Sequence, residues 1–371
     1  MTPRLPFVLT IIISIVIALV IWRLDSGVVL SSGERFINNV VWTFQRDAPP
    51  PETAPVAVVS ITDKTLDRFA ARTPVDRQFL ADLINRIAKD HPKAIGLDVL
   101  LDRPTQPEKD KVLAALLANP PVPMAVGYML PSDETPEYAR FQDDMVPPAL
   151  RATTYIHGIA GIPQLIDPGY GTGAGRIAQL PYKLAAMAGA NPPNQGLLVR
   201  YPHLAPGGWP IPVFPAEVVD VLPEQFLKDK IVLIGGDILN TDQWRTPYAA
   251  AFADRPARMP GVMVQALVVK QLLNHDLGPL DVPLATCLVI LAGALLGGMT
   301  MPDLPPTTSV VLRAVALISF TYVLIWRVAV TGMPLPVVGM LVAFVLANWW
   351  RNASLAWLAA KSNRESPSRL T

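Results

Sequence analysis

The chain has 371 residues, of which 51% are apolar and only 16% charged, against roughly 25% charged in an ordinary soluble protein. Its 31 Lys and Arg nearly cancel its 30 Asp and Glu, leaving a formal charge of +1; no long-range field draws polyanions, which excludes a wholly disordered or nucleic-acid-binding protein. A single cysteine, Cys287, excludes an intrachain disulfide scaffold, and 39 prolines, about twice the usual share of roughly 5%, keep long soluble helices few.

After an amino terminus of residues 1–4, residues 5–22 carry no charge, and at about 1.5 Å per residue they are just long enough to cross a hydrocarbon layer of roughly 30 Å. A cleaved signal peptide is the rival reading. Its apolar region would be only about 7–15 residues long and would end on small side chains. Ile21, Trp22 and Arg23 stand there instead, so an uncleaved transmembrane anchor is expected.

Residues 23–282 are long enough for one sizeable domain. Val56-Ala57-Val58-Val59-Ser60-Ile61 reads as a strand, and Phe79, Leu80, Leu83, Ile84 and Ile87 recur on one helical face. Ala94-Ile95-Gly96-Leu97 reads as a second strand. Val112, Leu113, Leu116 and Leu117 repeat the helical spacing before a third strand over 122–128, with Pro123 at its start or at an edge. This βαβαβ order predicts an α/β fold: a parallel sheet with helices on both faces. Residues 131–196 mix acids, glycines and prolines and read as an insertion with a short helix near 180–190. Regular order returns with a strand over 197–201, a helix over 216–222, the strand Ile231-Val232-Leu233-Ile234 closed by Gly235-Gly236, and a helix over about 262–274. That helix leads in sequence to the next apolar segment.

Three further apolar segments follow, at 283–301, 310–329 and 334–350, separated by breaks rich in Pro, Gly and Asp. Buried soluble helices would show a polar stripe, whereas these segments hold little besides Arg313 and Arg327 near their ends. Four transmembrane α-helices are therefore expected, with the lipid bilayer as the first partner. Arg4 and the tail 351–371, with Arg351, Lys361, Arg364 and Arg369, place both termini in the cytoplasm. The large domain then lies outside.

In parallel sheets ligands bind beyond the carboxyl ends of the strands. Asp63, Asp98 and Asp237 fall at such places, and Asp242, Arg245 and Arg77 join them as candidate ligand-binding residues. Asp98 is the sharpest of the six, because a carboxylate between Leu97 and Val99 needs a partner to be desolvated. The plain structural alternative pairs Asp98 with Arg77 and makes Asp63 a turn cap. His91, His157, His203 and His275 are scattered, and neither His-Glu-x-x-His nor Gly-x-Ser-x-Gly occurs. Gly169-Tyr170-Gly171-Thr172-Gly173-Ala174-Gly175-Arg176 lacks the Lys-Ser or Lys-Thr ending of a phosphate loop. Neither catalytic residues, nor a metal, nor a cofactor is expected.

The stretch 227–236, then Thr241-Asp242-Gln243-Trp244-Arg245-Thr246-Pro247-Tyr248, then Pro260-Gly261-Val262-Met263-Val264-Gln265-Ala266 form the strongest pattern in the chain. They resemble the CHASE domain, type two: a strand ending in glycine, an Asp and Thr-Pro loop, and a Gly-Val helix start. Ile61-Thr62-Asp63, Arg77 and Gly96-Leu97-Asp98-Val99 are similar to its amino-terminal pattern. The resemblance covers about 30–350 and implies a bacterial extracellular sensory domain flanked by one and three membrane helices. Family members continue into a cytoplasmic kinase or cyclase, whereas about twenty residues follow Trp350 here. The family's Asp-Gly followed by Arg has only Gly175-Arg176 as its nearest remnant. The resemblance thus implies a non-enzymatic sensor or receptor subunit of the bacterial inner membrane, its domain periplasmic. Its partners would be an extracytoplasmic ligand or protein and a separate cytoplasmic or membrane output protein, with a homodimer among the arrangements open to it. The alternative is an assembly or scaffold subunit of an envelope complex, and an enzyme using the external carboxylates comes third.

Overall fold

Val56–Thr62 is apolar at odd and even positions alike, the pattern of a strand covered on both faces. In the computed structural model it becomes the second strand of a six-stranded, wholly parallel sheet. The structure describes residues 4–25, 28–44, 54–130, 136–159, 161–171, 175–204, 208–239, 241–251, 254–276, 282–301 and 304–365. The chain divides into a unit of residues 45–278 and a helical unit of residues 1–44 and 279–371.

In the first unit the strands are β1 (Val56–Thr62), β2 (Ala94–Asp98), β3 (Met124–Gly127), β4 (Arg151–Ala152), β5 (Val213–Pro215) and β6 (Ile231–Asp237), in the order β5-β1-β6-β2-β3-β4. Every neighbouring pair is parallel. The last strand in sequence, β6, thus inserts between the first two, with Val56 opposite Ile231 and Ile231 opposite Ala94. Successive residues point to opposite faces. Ala57, Val59, Ile61, Val232 and Ile234 bury against Arg77–Ala88 (α3) and Pro107–Ala118 (α4). Val56, Val58, Ile231 and Leu233 bury against Leu180–Met187 (α5) and Gly261–Leu273 (α6).

The expected α/β sheet with helices on both faces is therefore present, with differences in detail. The expected 216–222 helix is the 3-10 helix Ala216–Val221. Leu197–Leu198 joins Ile162–Ile166 and His157–Ile159 in a separate antiparallel sheet instead of the main one. Residues 172–174 of the glycine-rich loop lie outside the described residues, and the flanking Gly169–Tyr170 and Ile177–Ala178 pair antiparallel. β4 and β5, two and three residues long, give no periodicity to read in the sequence.

The helical unit holds Arg4–Asp25 (α1), Val28–Trp42 (α2), Pro283–Gly298 (α7), Pro306–Thr331 (α8) and Val337–Glu365 (α9). The expectation of four spans is corrected here: among the described residues two helices, Val8–Asp25 within α1 and Pro306–Thr331, are long and apolar enough to cross a membrane. α7 has 16 residues, about 24 Å against a hydrocarbon thickness of roughly 30 Å. In α9, Asn348, Arg351 and Asn352 dilute the apolar run, and the helix starts at Val337 and continues past Trp350 to Glu365. The helix α2 lies within residues 23–282, expected as the large domain, and the chain divides after Phe44.

α7 and α9 pack backbone to backbone. A Cβ on Gly293 would lie 2.6 Å from the Met340 carbonyl oxygen, and one on Gly297 would meet that of Phe344. Contacts that advance together along both chains make the two helices parallel. Small residues one turn apart permit this approach. Replacing Gly297 by Val should cost about 1–3 kcal/mol by overpacking, read as an earlier thermal loss of trypsin resistance by the full chain in detergent; an unchanged profile would refute the backbone contact.

Candidate functional site

A parallel sheet opens a crevice where adjacent strands send their connections to opposite faces. β1 and β2 continue into α3 and α4 on one face, whereas β6 continues into α6 on the other. The carboxyl end of β6 is therefore a switch point, flanked by β1 on one side and β2 on the other.

Two glycines let the elements close in around that point. A Cβ on Gly235 would sit 2.6 Å from Val262 Cβ and 3.2 Å from Asp98 Cβ, so the start of α6 rests directly on the strand. A Cβ on Gly261, the first residue of α6, would lie 2.6 Å from Asp242 Cγ. Asp242 itself adopts φ 49°, a left-handed turn that Asp tolerates better than most residues. Its main-chain oxygen accepts the Gly261 N–H at 3.0 Å, and its carboxylate accepts the Trp244 indole N–H at 2.9 Å.

Asp98 ends β2 opposite Gly235. It is half-buried, and its carboxyl has no hydrogen bond or ion pair among the described residues. Burial, and then the charge of Asp242, push its pKa up to about 8. Burial also raises Asp242, opposed by the Trp244 and Gly261 N–H groups. The two acids thus share a switch point, and among the described residues neither is paired with a cation.

The other four candidates divide. Asp237 ends β6 opposite Thr62 and accepts the Gln243 amide at 3.1 Å. Asp63 follows β1, where the Thr62 hydroxyl, and not Asp63, caps the short helix Asp63–Leu66. Asp63 accepts the Leu239 N–H at 2.9 Å and is bonded by Arg72; that N–H foremost, with Arg72, holds its carboxyl below the usual range. Arg77 does not pair with Asp98. It is fully buried at the start of α3, donates to the carbonyls of Val75 and Arg103 at 3.2 and 3.1 Å, and lies 3.8 Å from Asp110. Asp110 in turn accepts from the main chain and hydroxyl of Thr105 at 2.9 and 2.6 Å, so Arg77 fixes the loop after β2 from beneath. Arg245 is exposed on Gln243–Arg245, which pairs with Arg258–Pro260; its N–H donates to Gly161 at 2.8 Å. Arg72, Gln243 and Trp244 were missed as site residues. The Asp-Gln-Trp spacing was visible, but it identifies no partner before the chain folds.

Among the described residues no group of three or more His, Cys, Asp or Glu is placed to hold a metal ion. An open cavity of about 320 Å³ lies at the opposite, amino end of the sheet, lined by Pro55, Lys93, Gly189, Asp229, Leu273 and His275. There Lys93 and Asp229 supply both signs of charge, so the unbalanced carboxyls, and not this cavity, mark the stronger candidate site. What the site can do is accept hydrogen bonds from a donor or cationic group, and hold a proton while none is present.

A family model described as CHASE2 domain matches residues 13–299, from within α1 to just past α7. Comparison with curated proteins and with solved structures gives no match.

Two outcomes follow from these positions. Arg77→Ala should destabilise the domain by about 3 kcal/mol, because it leaves Asp110 buried without its cation, measured by thermal unfolding of the full chain. Asp98, raised from 3.8 to about 8, binds its proton more tightly folded than unfolded. Its contribution is complete below about pH 4 and is lost as the pH climbs to about 8. Asp98→Asn should flatten that decline and raise the melting temperature at alkaline pH; a variant as pH-sensitive as the parent would contradict the assignment.

Proposed function

The chain belongs to the CHASE2 domain family, a family of extracellular sensory domains, and from that premise we propose that it is a non-enzymatic receptor subunit of the bacterial inner membrane. Its α/β domain faces the periplasm and binds a ligand or protein. The response passes to a separate cytoplasmic or membrane output protein.

The observation that carries this reading is the partnerless carboxyl of Asp98 beside Asp242 at the switch point. A group left costly by folding gains most from a ligand that completes it. A ligand offering N–H or O–H donors or a positive charge supplies what Asp98 lacks. Binding biases signalling only if its affinity differs between two conformations, and the close approach of α6 to Gly235 offers such a contact. A displacement of Asp98 moves the start of the helix that leads in sequence toward α7.

An even number of crossings returns the chain to its starting side, and the cations Arg351, Lys361 and Arg364 favour a cytoplasmic carboxyl terminus. α1 and α8 are long and apolar enough to be two of those crossings. The chain's direct partners are thus the bilayer, the ligand and the output protein.

Replacing Asp98 by Ala should abolish the response while leaving membrane insertion intact. Crosslinking and pull-down from native membranes reads the partner: recovery of a kinase or cyclase supports the proposal. A tight complex with envelope components that persists under all conditions identifies a scaffold instead, and protease mapping that puts residues 45–278 in the cytosol overturns both.

A further inference from the structure

Helix α2, too short and too polar to be a span, carries two polar side chains into the interior of the helical unit. Glu34 is 6% and Asn38 2% exposed, and their spacing of four places them on one helical face. Glu34 Oε1 accepts the main-chain N–H of Gly339 at 2.5 Å. Gly339 is the third residue of α9, among the N–H groups that a helix cannot satisfy internally. Leu335 and Pro336, just before α9, have no side-chain acceptor to offer. Glu34 therefore supplies, from a different helix, the cap that α9 lacks in its own sequence. A Cβ at 339 would make ordinary contact with Glu34 Oε1 at 3.5 Å and a tighter one with Ile290 Cδ1 at 3.2 Å, so the glycine eases the packing of α7 here.

The second oxygen is the telling one. Glu34 Oε2 and Asn38 Oδ1 are both buried without a hydrogen-bond partner among the described residues. Each of two such acceptors one turn apart carries an uncompensated desolvation cost while unsatisfied. A proton on Oε2 turns one acceptor into a donor for the other, within the reach of an i,i+4 pair.

The surroundings favour that proton. Burial is the largest cause raising the Glu34 pKa, to about 7, against the N–H groups of Gly339, Val338 and Val337, while Asp25 adds to the rise. α9 and α7 present Val338, Gly339 and Ile290 here, none of them titratable. On α8, Arg313 is turned to the Ser309 carbonyl of its own helix and Arg327 is exposed. Arg35, the neighbour of Glu34 on α2, is only half-buried.

We propose that Glu34 and Asn38 form a proton-binding clamp at the head of α9. With a proton from bulk water on Oε2, shared with Asn38 Oδ1, Glu34 grips the Gly339 N–H. Once that proton returns to water, the buried carboxylate draws in hydration and α2 releases α9. The clamp joins the helix that leads in sequence into the sensory domain to the last helix of the chain.

The test uses the full chain in lipid nanodiscs, with Cys287→Ser and nitroxide labels on Phe36→Cys and Val345→Cys, both exposed positions. Pulsed EPR should give one narrow distance at about pH 5, with that population at least halved at about pH 9. Glu34→Gln, which keeps the acceptor and replaces O–H by an amide donor, should stay narrow at both pH values, and Glu34→Ala should be broad at both. A parent distribution indifferent to pH, a Gln variant that behaves as Ala does, or a narrow Ala variant overturns the clamp. Should the Ala variant fail to insert, infrared spectroscopy decides: with Asp98→Asn in both proteins, the protonated carboxyl band at neutral pH must be weaker in Glu34→Gln than in its parent, and an unchanged band refutes the site.

Discussion

β6 is hydrogen-bonded on both edges, to β1 and β2, and covered on both faces. A strand so enclosed has no polar side. Everything polar that it contributes must appear where it ends, at Gly235, Gly236 and Asp237, and the two connections beside it must leave by different faces. The crevice, the seating of α6 on Gly235, and the meeting of Asp98 with Asp242 all descend from the late insertion of this one strand between two earlier ones.

The same enclosure sorts the charged residues into two kinds. Arg77 is the most deeply buried of the six candidate residues, yet its guanidinium is occupied by the Val75 and Arg103 carbonyls and by Asp110. Asp63 is similarly satisfied, by Leu239 and Arg72. Asp98 is less buried than Arg77 and has no such support. What separates a structural charge from a candidate functional one is therefore the state of its partners rather than its depth, and partners are a property of the folded chain.

This explains how far the sequence could be read. Strong apolar runs such as 56–61 and 231–234 announced their strands, and spacing such as Phe79, Leu80, Leu83, Ile84 and Ile87 announced α3, because these signals are local. The place of β6 between β1 and β2 is not local, and neither is the choice of Arg77 for Asp110 over Asp98. Apolar composition also overstated the membrane spans: α7 ends sixteen residues after it starts, and α9 runs through Arg351, whose guanidinium donates to the Met299 carbonyl at 3.1 Å. Conversely, the mixed residues of α2 concealed a helix whose amphipathic face packs inside the helical unit.

The glycine contacts between α7 and α9 have a mechanical meaning. Side chains between two helices act as a compliant layer, able to shear by changing rotamer. Where main chain meets main chain at Gly293 and Gly297, that cushion is missing, and a small axial slip drives carbonyl oxygens into Cα atoms. The two parallel helices consequently behave as a single stiff rod, so any push delivered to the first reaches the second without lost motion.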